Sequence, residues 1–194
     1  EYPVDANENP GAADALYANL ADYCLPSERL AELDACLDYL NWTSAPAEDL
    51  QDLLADMATE RLAGSELKAC RQAIDEYFAL ADVPAIRAAL QREQRPELQD
   101  WAEQTVKLLD SRSPLAMATT LELLRRGRDL SLAECFALEL HLDYQWFDKG
   151  DLMEGVRALI IDKDKCPRWN PPTLTELVPA RVQAFFNDFE RASG

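Results

Sequence analysis

The chain has 194 residues, with 36 acidic against 19 basic side chains and a formal charge of -17. That balance excludes nucleic acid and anionic membranes as bulk electrostatic partners, but leaves room for a local basic patch on a phosphate. Hydrophobic residues (48%) suffice for a core, and scarce glycine (6 residues) with abundant Ala and Leu favours helices over a sheet.

Residues 1–10, EYPVDANENP, are polar and carry two prolines, which predicts a flexible leader or linker. The start at Glu1 lacks an initiator methionine and is read as a processed or trimmed end. No basic n-region precedes an apolar segment, so no signal peptide is expected. No apolar run reaches the about 20 residues of a membrane span. Cys24, Cys36, Cys70, Cys135 and Cys166 are odd in number and lack C-x-x-C spacing. Reduced thiols in a cytoplasmic protein, with no zinc framework, are expected.

The elements follow from caps and periodicity. Residues 11–25 predict a short helix and then an extended segment, with at most one short strand near 21–25. Pro26-Ser27-Glu28 opens a helix to about Leu40, with Leu30, Leu33 and Leu37 on one face. Further helices are predicted from about Ala47 to Leu62, Glu66 to Leu80, Val83 to Arg92, and from Pro96 onward with Leu98, Trp101, Val106 and Leu109. Ser113-Pro114 caps the helix SPLAMATTLELLRRG, whose Arg125 and Arg126 suit its negative end. Ser131-x-x-Glu134 is a capping box. The long helix after it carries Leu132, Phe136, Leu140, Tyr144 and Phe147 on one face, and Cys135, Leu138, Leu142 and Trp146 on others. That pattern predicts burial on more than one side. Thr173-x-x-Glu176 is a second capping-box candidate. A last helix to about Arg191 shows Val182, Phe185, Phe186 and Phe189, a face that needs a partner and offers a route to a homo-oligomer. The fold class expected is mainly α, with nine or ten antiparallel helices.

The most informative stretch is 151–172, DLMEGVRALIIDKDKCPRWNPP. Asp151 sits at a capping position, and Leu152, Val156 and Leu159 or Ile160 follow at helical spacing. Pro167 stops the helix, and Trp169 with Asn170-Pro171-Pro172 forms a turn. The expectation is a buried helix that delivers a charged, Trp-bearing elbow to a surface.

This stretch resembles the C-terminal signature of the crotonase superfamily, the enoyl-CoA hydratases and isomerases. The form D-L-M-E-G-V-R-A-L-I-I-D-K-D-K-C-P-R-W is most similar to its 3-hydroxyisobutyryl-CoA hydrolase branch. Residues 11–25 resemble a family segment that has glycine where Asn19 stands, and asparagine tolerates the same left-handed turn. The resemblance implies a helical insertion over 26–110 and C-terminal crotonase helices over 113–194. It covers only the C-terminal helical half of such an enzyme. The family's N-terminal core, which carries its oxyanion hole and catalytic carboxylates, has no counterpart here.

The resemblance therefore implies no catalytic residue in this chain, no cofactor beyond CoA as part of the substrate, and two partners: the crotonase core and an acyl-CoA. It places Lys163, Lys165 and Arg168 near CoA phosphates. The alternative for the lysines is a solvated loop in which they pair with Asp162 and Asp164. Trp169 is read as a packing anchor and Glu154 as structural. His141, the sole histidine, is given a packing or surface role, because Asp143 points to another helix face. Arg125, Arg126 and Arg128 need only a helix-end role. Ser65-x-x-Lys68 lacks the other β-lactamase motifs, and Asp162-x-Asp164 lacks the rest of a calcium loop. The implied function is hydrolysis of a 3-hydroxyacyl-CoA thioester in valine breakdown, by an enzyme of which this chain alone is an inactive lid and assembly module. A free-standing helical interaction module, or part of a hydratase or isomerase, are the alternatives.

Overall fold

The computed structural model describes residues 10–59, 62 and 64–189. The predicted leader at 1–10 lies outside them, apart from Pro10. Among the described residues there are ten α-helices and no strand. The chain divides into two compact units, Glu1–Asp75 and Glu76–Gly194.

In the first unit, α1 (Pro10–Tyr17) ends in a Schellman turn. Asn19 is left-handed (φ 54°), its N–H donates to Leu16 and that of Leu20 donates to Ala15. Asparagine thus takes the place of the usual glycine. A 3-10 turn (Ser27–Arg29) leads into α2 (Leu30–Tyr39), and α3 is Pro46–Met57. The α3 N-terminus is held by Asp49, which accepts from the Thr43 backbone and hydroxyl. Helix α4 (Glu66–Tyr77) runs across the division, and Asp14 accepts from Ser65 Oγ and Leu67 N at its start.

In the second unit, α5 (Val83–Leu90) is capped by Asp82, which accepts from Ala85 N. Helix α6 spans Pro96–Ser111, and α7 spans Pro114–Gly127 with Ser113 as its cap. Helix α8 (Leu132–Lys149) forms the capping box of Ser131 and Glu134 as expected. The core gathers Leu115 from α7, Leu138 and Leu142 from α8, and Val182, Phe185 and Phe186 from the C-terminal segment. Trp146 meets Phe185 at 4.4 Å between ring centroids, and Arg126 lies 4.1 Å over the Phe186 ring.

Four sequence expectations are corrected. The last helix is short: α10 covers only Pro179–Gln183, and turns follow. Val182 and, just beyond it, Phe185 and Phe186 are buried within the chain against Leu115 of α7 and Leu138 and Leu142 of α8. Helix α8 is not buried on several sides. Leu132, Phe136, Leu140, Tyr144 and Phe147 are 57% to 73% exposed, because the core takes the face bearing Leu138, Leu142 and Trp146. The helix after Asp151 is not a buried rod either. It is a short α9 (Leu152–Val156) that widens into a π-turn over Arg157–Ile161, where Asp162 N donates to Arg157 O. Only Ala158 is buried there; Leu159, Ile160 and Ile161 are exposed. Finally, Thr173 makes no backbone cap, and its hydroxyl bonds the Glu176 carboxylate beside a three-residue 3-10 turn.

Candidate functional site: the charged elbow at 151–173

The elbow hangs on two anchors. Asp151 is buried but caps nothing. One carboxylate oxygen accepts from Ser113 Oγ at 2.5 Å, and the other accepts from Asn170 N at 3.1 Å. It ties the start of α7 to the far side of the elbow. Trp169 is the second anchor. Its indole N–H donates to the Ser111 carbonyl at 3.1 Å, and its ring lies close over Gly155. The Asn170–Pro171 peptide is cis, and Asn170 Oδ1 accepts from Arg181.

Between these anchors stands Arg157. Its guanidinium grips Glu154 through two bonds of 2.8 Å. The same group donates to Asp162 at 2.5 Å, to Asp164 at 2.8 Å and to the Cys166 carbonyl at 3.2 Å. Glu154 also accepts from Arg168 N at 2.6 Å, and Asp164 from Cys166 N at 2.8 Å. Arg157, then the Arg168 amide, hold the Glu154 carboxyl down at about 2. Arg157 and the Cys166 amide likewise lower Asp164. Glu154 is thus a structural acceptor, as the sequence suggested.

Lys163, Lys165 and Arg168 share this one exposed loop. Lys163 and Lys165 are both left-handed at φ 55°. The alternative reading, in which they pair with Asp162 and Asp164, is not what the structure shows: both carboxylates belong to Arg157. Among the described residues neither lysine side chain forms an ion pair. Sequence reading overlooked Arg157, although its spacing of three from Glu154 was the available signal.

The remaining candidates stand apart from the elbow. His141 donates through Nε2 to the Phe185 carbonyl at 3.0 Å and packs on Phe189, a packing role. Arg125 serves not its own helix end but the Leu80 and Ala81 carbonyls, at 2.6 and 2.8 Å. Two open grooves, of about 340 and 430 Å³, are lined by α5, α7 and the 172–183 segment, and none of the three basic residues lines either. No cluster of His, Cys, Asp or Glu among the described residues could hold a metal ion. No helix among them is long and apolar enough to cross a membrane.

The model of the Enoyl-CoA hydratase/isomerase family matches residues 8–186. The chain belongs to that family. It resembles the 3-hydroxyisobutyryl-CoA hydrolases within it. It is 30% identical over 175 residues to 3-hydroxyisobutyryl-CoA hydrolase-like protein 5 of Arabidopsis thaliana, covering 88% of this chain and 45% of that protein. It is 30% identical over 168 residues to the mitochondrial 3-hydroxyisobutyryl-CoA hydrolase of Gallus gallus, covering 84% of this chain and 42% of that one. The crystal structure of a carnitinyl-CoA dehydratase from Mycobacterium thermoresistibile superposes with a TM-score of 0.74 at 31% identity, over 92% of this chain and 48% of that one. The chain therefore spans about half the length of the relatives it matches.

Proposed function

We propose that this chain serves as the helical lid and assembly module of a CoA-thioester hydrolase acting on 3-hydroxyisobutyryl-CoA or a close 3-hydroxyacyl-CoA, a step of valine breakdown. The likeness to hydrolases bearing that name supports the substrate class. The observation that carries the assembly role is the apolar stripe of α8. Five large side chains at helical spacing stand in solvent on a helix whose opposite face packs on the core through Leu138, Leu142 and Trp146. An exposed row of this kind marks a surface that another body covers. The occupant proposed is the crotonase core, since the relatives extend to about twice this chain's length.

The chemistry of thioester hydrolysis needs backbone donors around an oxyanion and a group that activates water. The polar side chains of the elbow are instead committed to holding its own loop. The chain by itself is therefore inactive, and its direct contribution to the ligand is charge. Lys163, Lys165 and Arg168 would meet the phosphates of CoA. Five free thiols favour a reducing compartment. Cytoplasm is the expectation from sequence, while the Gallus gallus relative is named as mitochondrial.

The test is thiol release from 3-hydroxyisobutyryl-CoA by the purified chain, with thermal melts in the presence of CoA. No turnover, together with a CoA-dependent rise in melting temperature, is expected. Turnover by the chain alone would overturn the lid assignment.

A further inference from the structure

The sequence Asp162-Lys163-Asp164-Lys165 alternates charge, and left to itself would neutralise its own lysines. The structure prevents that. Arg157 spends its five N–H donors on Glu154, Asp162, Asp164 and the Cys166 carbonyl. Both aspartates are thereby taken by one cation from a neighbouring turn. The two lysines between and beyond them sit in the left-handed region, which side chains other than glycine seldom adopt without being held there. Lys165 N donates to Ala158 O at 3.0 Å, so the backbone is fixed as well.

We propose that Arg157 is a positioning residue: it sequesters the carboxylates of Asp162 and Asp164, and so keeps the ammonium groups of Lys163 and Lys165 free for the phosphates of a CoA ligand. The ligand in this statement rests on the function proposed above. The sequestration does not.

The two parts separate in one set of experiments on the 194-residue chain. Nitrogen NMR of the lysine ammonium groups reads their mobility, and calorimetry with CoA reads binding. In Arg157→Gln the aspartates are released to the lysines. Ammonium mobility at Lys163 and Lys165 falls, and CoA binding weakens about fivefold, as one exposed ion pair per lysine would give. Adding Asp162→Asn and Asp164→Asn to that variant restores both. Falling mobility with no CoA binding by any form would keep the role of Arg157 and remove CoA as the ligand. Unchanged mobility in Arg157→Gln would overturn the role of Arg157, whatever CoA does. Should Arg157→Gln fail to fold, Asp162→Asn/Asp164→Asn with Arg157 intact still decides. Unchanged ammonium mobility supports sequestration, and a rise shows that the aspartates had held the lysines all along.

Discussion

The buried hydroxyl of Ser113 donates to the buried carboxylate of Asp151 at 2.5 Å, joining residues 38 positions apart. The same oxygen accepts from Ala116 N and so caps α7. Ser113→Ala removes the cap and half of the support of Asp151 together. A loss of about 2 kcal/mol is expected in urea denaturation. Ser113→Thr, which keeps the hydroxyl, should recover most of it.

A contrast within α8 checks which face is the core. Phe185→Ala, on the segment that α8 packs against, should cost about 3–5 kcal/mol. Phe136→Ser and Leu140→Ser, on the exposed stripe, should change stability by less than about 0.5 kcal/mol. Both can be read from the same denaturation series. A large loss from the serine variants would mean that the stripe is covered within the chain.

Gly150 closes α8 against Trp146. It needs no unusual φ, but a Cβ there would overlap the Trp146 ring. Gly150→Ala should therefore push Trp146 off Phe185, at a cost of about 1–3 kcal/mol. Tryptophan near-UV circular dichroism should change with it. Gly155→Ala, whose Cβ would meet Trp169 at an ordinary 3.7 Å, should leave that signal alone.

Glu93 supplies a pH test. Its carboxylate takes Arg95 Nε at 2.9 Å and Tyr77 OH at 2.7 Å, along with the backbone N–H of Gln94 and of Arg95. Arg95 is the chief reason that its carboxyl is pulled from its ordinary value of 4.5 down to about 2. A folded value below the unfolded one stabilises the protein above the unfolded value, and that contribution is lost as pH falls toward 2. Stability measured from pH 5 to about 2 should therefore decline, and Glu93→Gln should flatten part of the slope. An equal slope in both proteins would assign the acid sensitivity to other carboxylates.

The local rules carried far into this fold. Pro84, Pro96 and Pro114 at first helical turns, Ser113, the Ser131 and Glu134 box and the left-handed Asn19 are decided by near neighbours in sequence, and each stands where sequence placed it. The family resemblance also lay in a contiguous signature, 151–169. What local rules cannot decide is which of two apolar faces meets the rest of the chain. Helix α8 carries hydrophobic residues nearly all round, and only the arrival of Val182, Phe185 and Phe186 from 40 residues away selected the Leu138 face. The same holds for charge. Adjacency suggested that Asp162 and Asp164 neutralise the lysines beside them, whereas the widened turn at 157–161 brings a bidentate, five-donor guanidinium within reach, and it outcompetes them. Sequence by itself determined most of the helices, the caps at Ser113 and Ser131, and the family. Tertiary structure decided which faces stay bare and which cations stay free, because burial and ion pairing depend on which distant groups are brought close.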